Sequence, residues 1–141
     1  MATIVTRSGK GSPLTHLELD ANFDNLNADK AGYGPGDGGS VVQLNNKSAS
    51  VTLNKRCGEI SLNSETLAAD TTVSFTLINN TISATDIIVL NHASIVGTLG
   101  NYVLSARADI GSAIIAVRNI TAAPLTDAIL IRFAVIKASA T

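Results

Sequence analysis

Val73-Ser74-Phe75-Thr76-Leu77 is the stretch whose reading decides the fold. Apolar and polar residues alternate along it without a break, the period of a strand with one buried and one wet face. Val51-Thr52-Leu53 and Ile60-Ser61-Leu62 repeat the rhythm upstream. Turn signals divide the runs at Asn45-Asn46, Lys55 to Gly58, Asn63-Ser64, Asn79-Asn80, Gly97 to Asn101, Asp109 to Gly111 and Ala122 to Thr126. The spacing predicts about eight strands, over 41–45, 50–54, 58–63, 72–79, 85–92, 101–108, 112–119 and 127–137. Short strands at such intervals predict a mainly β fold, an antiparallel β-sandwich of jelly-roll type. The loops expected to face outward lie near 45–49, 64–71, 93–101 and 120–126.

Two strands depart from the one-sided pattern. Ile87-Ile88-Val89-Leu90 is apolar on both faces, as is Ile129 to Ile136 apart from Arg132. Only one face of each sheet in a two-layer sandwich meets the core. The second face of these strands needs another cover; a hairpin or the N-terminal helix could supply it, and a neighbouring copy of the chain is the more economical one. Ile88, Leu90, Leu130 and Ile136 are therefore the expected subunit-interface residues. Charge supports this reading: from Thr66 to Ala106 only Asp70 and Asp86 are ionised at neutral pH.

Composition sets the outer bounds. The chain has 141 residues, enough for one domain with a real core plus an appendage. Charged residues make up 15%, against about 25% in an ordinary soluble domain. Aromatics are 4% and Trp is absent, so the core must be built from Val, Ile, Leu and Ala. Net charge is −1, and the seven basic residues beyond the linker (Lys47, Lys55, Arg56, Arg107, Arg118, Arg132, Lys137) are nearly matched by acids. No basic face for nucleic acid is expected. Cys57 is the only cysteine, which excludes an internal disulfide and reads as a small half-buried apolar residue. The apolar runs fall far short of the roughly 20 residues that cross a bilayer, so no membrane insertion is expected. MATIVTRSGKGSP carries no apolar signal core, so synthesis in a cytoplasm is expected.

The N-terminal part reads differently. Residues 1–12 mix Gly, Ser, Thr, Arg and Lys around ATIV, the composition of a disordered segment or docking arm. Thr15 and Glu18 then fit a capping box, with Leu14 and Leu19 as its hydrophobic staple. Leu19, Phe23 and Leu26 follow at i, i+4 and i+7, a narrow apolar stripe on a helix of about 14 residues ending near Lys30. A helix of that length is marginal alone, so Leu14, Leu19, Phe23 and Leu26 are expected to carry helix association or attachment. The sequence AGYGPGDGGS supplies a linker. The expected organisation is an arm and helix over 1–30, a linker over 31–40 and a β knob over 41–141.

No chemistry-bearing constellation emerges. A nucleophile needs a base and an orienter, and the two histidines, His16 and His92, read as a solvated helix residue and a strand-end residue. Two distant histidines and one cysteine do not make a zinc site, although a trimer could set three copies of His92 around its axis. Asp70, Asp86, Asp109 and Asp127 stand singly near turns and lack calcium-loop spacing. The alternating glycines from Gly32 to Gly39 precede no helix and lack the ending of a phosphate loop. No catalytic residue, cofactor or metal is expected, and the chain does not read as an enzyme.

The segment Gly11-Ser12-Pro13-Leu14-Thr15 through Leu17-Glu18-Leu19-Asp20-Ala21-Asn22-Phe23-Asp24-Asn25-Leu26-Asn27 resembles one common in tail-fibre and related virion proteins of tailed bacteriophages. Ser50 to Ile60 resembles the start of a β domain in phage fibre and head-decoration proteins. So do Val73 to Leu77, Ile82 with Ala84-Thr85-Asp86, and the ending Phe133 to Lys137. The resemblance implies a virion structural protein, generally homotrimeric, held to the particle by its N-terminal part. Its partners would be itself and other virion proteins of capsid or tail. A long repetitive shaft is missing, which points to a short fibre or a capsid decoration. A fibre tip that binds host receptor or glycan is the alternative.

Overall fold

In a computed structural model the described residues are 4–28, 36–93 and 95–138, with side chains omitted at 26–28. The expected helix end near Lys30 and linker residues 31–35 lie outside them. Two helices, α1 (Arg7–Lys10) and α2 (His16–Ala28), precede eight strands. These are β1 (Ser40–Val42), β2 (Val51–Thr52), β3 (Cys57–Ser61), β4 (Thr72–Ile78), β5 (Ile87–His92), β6 (Tyr102–Asp109), β7 (Ser112–Asn119) and β8 (Leu130–Ile136). They form two four-stranded sheets. The first has the order β1-β3-β8-β5 and the second β2-β4-β7-β6.

The topology follows from one habit of the chain. It changes sheet at every connection except the β6–β7 hairpin. Each crossing reverses the strand direction, so strands two apart in sequence run the same way. That makes β1–β3 and β2–β4 parallel, which corrects the all-antiparallel expectation at two sheet edges. The hairpin shifts the phase, and the pairings β3–β8, β5–β8, β4–β7 and β6–β7 are antiparallel.

The core lies between the sheets. Phe75 and Leu77 of β4, Ala113, Ile115 and Val117 of β7, and Ile131, Phe133 and Val135 of β8 meet there, all buried. Alternation along each strand sends the intervening residues outward. The apolar core is close-packed against the backbone at Gly58, where a Cβ would come 2.6 Å from the Gly39 oxygen and 3.2 Å from the Phe133 ring. Gly39 accepts the Glu59 amide at 2.9 Å, so the final residues of the expected linker are already bound to the sandwich. The backbone opposite them fixes them there.

One small device recurs at three turns. In Asn46-Lys47-Ser48, Asn79-Asn80-Thr81 and Asn119-Ile120-Thr121 the Asn side-chain oxygen accepts both the amide and the hydroxyl of the residue two places on. Asn79 and Asn119 are fully buried. The Asn119 amide also donates to the Leu67, Ala68 and Ala123 carbonyls at 3.2, 3.0 and 2.8 Å, tying the loop before β4 to the loop after β7. Leu67, expected in an outward loop, is buried as a result and pairs with Leu125.

Lys47 is a second correction to the loop expectation, because it is buried. Its ammonium donates to the Asn63 and Asp127 carbonyls, while its own carbonyl accepts from Gln43 at 3.0 Å. Burial pulls its pKa down, against the pull of Asp127 and Glu65. Nearby the Tyr102 hydroxyl donates to Asp127 at 2.8 Å. Burial, then this bond, drives its pKa up. A buried lysine in a small-residue turn leaves no periodic trace in sequence, so pattern reading misses it.

Candidate functional site

The surfaces that stand out are apolar ones, on the N-terminal unit and on the outer face of the first sheet. The N-terminal unit is built by local chemistry. Thr6 caps α1 by accepting the Gly9 amide at 3.1 Å, and Gly11 closes it at φ 72°, a left-handed value that glycine adopts without strain. The reversal brings Lys10 within 2.5 Å of Glu18 at the start of α2. Glu18 also accepts the Thr15 amide at 2.8 Å, and Thr15 accepts the Glu18 amide at 3.2 Å, the reciprocal capping box read from sequence. Lys10 first, and then the Thr15 bonds, hold the Glu18 carboxyl down to about 2. Asn22, the buried polar residue of α2, exchanges two 2.8 Å bonds with the Val5 backbone. The arm expected to be disordered or to dock elsewhere is thus folded onto α2 from Ile4 onward.

This unit leaves its apolar residues outside. Leu17 is 80% exposed, Phe23 63% exposed, and Leu19 is exposed as well. Leu14 is half-buried, and the Leu26 side chain lies outside the described ones. Among the described residues every extensively packed pair of elements lies among the strands, and neither helix covers a sheet.

The second surface is the outer face of the first sheet. Register fixes its rows: Ile87 beside Ile136, Val89 beside Ala134 and Cys57, then Asn91 beside Arg132, Glu59 and Ser40. Ile87, Val89 and Ile136 are 55%, 47% and 50% exposed. The polar row is closed by an Arg132–Glu59 ion pair at 2.7 Å. Leu130 and Ile136 lie on this face, Leu130 half-buried. Ile88 and Leu90 do not: they point inward and pack against the core. The sequence reading took the wrong parity in β5, because a strand apolar on both faces gives no signal for which face is inner. Cys57 is half-buried on the outer face, as expected.

The outer face of the second sheet is wetter. Thr72, Ser74, Thr76, Ser105 and Ser112 are interspersed with Val103, Ile114 and Ile78. Arg118 meets Asp70 at 2.6 Å across it. Asp86, buried just before β5, meets Lys137, just after β8, at 2.6 Å.

The other residues weighed for chemistry serve the framework. His16 is exposed at the first turn of α2. The His92 ring stands edge-on to Tyr102 with centroids 6.0 Å apart, and its Nε2 lies 3.1 Å from the Val96 carbonyl. Asp127 serves Tyr102, and the Asp109 carboxylate accepts the Ile110 amide at the β6–β7 turn. Among the described residues no three His, Cys, Asp or Glu side chains gather as a metal cage, and no helix is long and apolar enough to cross a membrane.

Comparison with protein-family models, with curated proteins and with solved structures finds no match.

Proposed function

We propose that this protein is a structural part of a tailed-bacteriophage virion, a short homotrimeric fibre or capsid decoration attached by its N-terminal unit. The observation that carries the reading is the capped α2 helix, which holds Leu19 and Phe23 of its apolar stripe in solvent and, among the described residues, covers neither sheet. A helix so carefully capped at its start gains nothing alone from an exposed apolar stripe. Its use is to bury that stripe against two further copies of itself and against a virion protein. The apolar outer face of the first sheet is the second surface that copies of the chain or capsid proteins would cover. Such a role asks for rigidity and self-recognition and needs neither catalyst nor cofactor.

Light scattering of the purified full chain tests the reading. The expected mass is three times 14.5 kDa at micromolar concentration. Phe23→Asp is expected to lower that mass and to abolish incorporation into purified particles, with β circular dichroism unchanged. A wild-type monomer at that concentration, or loss of the β signal in the variant, overturns it.

A further inference from the structure

The two sheets have four edge strands, and three of them are protected. β1 has three residues and β2 two, too short to template a partner. β6 is long but carries Arg107 and Asp109 on its exposed face. Short strands and charges are the usual means of keeping an edge from pairing. β5 has none of these devices. Its sequence, IIVLNH, holds no acid, lysine, arginine or proline. It pairs with β8 one-to-one over its full length, without a bulge.

The hydrogen-bond phase of that edge is fixed. Ala93 donates its amide to the Leu130 carbonyl at 2.8 Å, so the odd-numbered residues of β5 spend their backbone groups on β8. On the far side of β8, Val135 donates to the Arg56 carbonyl, which confirms the alternation. The amides and carbonyls of Ile88 and Leu90 therefore point away from the sheet, along its open edge.

We infer that β5 is a pairing edge for a second copy of itself, joining two chains antiparallel about a twofold axis through Val89. Face parity allows only registers in which like faces meet. Centring on Ile88 would need the Asp86 amide, which already donates to the Ser83 carbonyl at 3.0 Å. Centring on Leu90 would need the backbone of His92, where the strand turns into the next loop. Centring on Val89 uses Ile88 and Leu90 alone. Each Ile88 faces the partner's Leu90 in a hydrogen-bonded pair, which gives four backbone bonds. Val89 then meets its own copy in the non-bonded position, with Cα atoms about 4.5 Å apart. Ile87 faces the partner's Asn91.

No like charges meet across this axis. The pairing continues the first sheet from four strands to eight and merges the two apolar outer faces. The contact is small, so it acts where copies are held at high local concentration, as on a particle surface. It goes beyond the threefold association proposed above and uses a different surface.

Cysteine cross-linking tests it. In a Cys57→Ser background, Val89→Cys is oxidised at high protein concentration beside Val103→Cys, an outward β6 residue of similar exposure. Val89→Cys is expected to form covalent pairs at least tenfold faster than Val103→Cys. Val89→Lys places like charges opposite each other and is expected to raise the concentration for pairing about tenfold, while Val89→Thr leaves it unchanged. Equal cross-linking rates at the two positions, with the threefold mass intact, overturn the edge pairing and leave the assembly reading standing. Cross-linking of Val89→Cys only together with Ser40→Cys, into closed rings of three, overturns the twofold in favour of β5 pairing with β1. A monomer that still cross-links quickly through Val89→Cys sinks the trimer and upholds the edge.

Discussion

Asn119→Ala is the sharpest single test of how the sandwich is held shut. The side chain has no exposed area and makes five hydrogen bonds: three to carbonyls of Leu67, Ala68 and Ala123, and two from Thr121. The five share two amide hydrogens and one oxygen, so they count as about three independent bonds. At roughly 1 kcal/mol net per neutral bond, truncation removes about 3 kcal/mol. The Leu67 carbonyl keeps its bond from the Leu125 amide at 2.9 Å, and Ala68 and Ala123 can turn to water, so the loss stays near that figure. For a β unit of this size the melting temperature should fall by about 10–15 °C. Asn46 makes the same turn with Ser48, at 3.0 and 2.8 Å, but in solvent reach. Asn46→Ala should cost about 1 kcal/mol or less. Urea unfolding of both variants at one pH decides the matter. If the two losses lie within about 0.5 kcal/mol of each other, burial of the turn is not what makes it stabilising.

Two further outcomes follow from the charges. Burial pushes the Asp86 carboxyl up, but the bonds from Lys137, Ser83 and Ala138 outweigh it, and its pKa lies below the usual range. The unfolded chain then binds more protons, so stability from this group is full above about pH 4 and drains as pH falls through the folded value. Asp86→Asn should flatten the acid limb of a urea-midpoint series between about pH 5 and 2; an unchanged limb counts against the assignment. Glu18 should titrate at about 2 by carboxyl-detected NMR, and Lys10→Ala should move it upward, because the ammonium is the chief cause. A Glu18 value unmoved by that substitution would mean that α1 does not fold back onto α2.

The legible and illegible parts of the sequence divide along physical lines. Strand positions were legible because burial on one face leaves a two-residue period, clearest in Val73 to Leu77 and in Ile60 to Leu62. The α2 start was legible because a capping box is local: Thr15 and Glu18 need only each other. Strand direction was not, since β1–β3 and β2–β4 are parallel through crossings that no local signal records. Nor was facing in β5, where Ile87 and Ile88 look alike although one is exposed and the other packs inward. Lys47 escaped because its cage of carbonyls comes from residues 16 and 80 places away. Of the residues expected to mediate contact, Leu19, Phe23 and Ile136 are exposed, while Ile88 and Leu90 are half-buried and pack against the core.

β8, from Leu130 to Ile136, occupies an interior position in the first sheet, between β3 and β5. The last of the eight strands in chain order is therefore the one on which two earlier strands wait. Before β8 is made, β3 can pair only with β1 and β5 has no strand neighbour in its sheet, and the loop closures that bring both to β8 are long, which makes folding slow. A nascent chain that stalls before Leu130 holds Ile88 and Leu90 without their cover, so premature termination should send this protein to aggregation or proteolysis rather than to a shortened but working product.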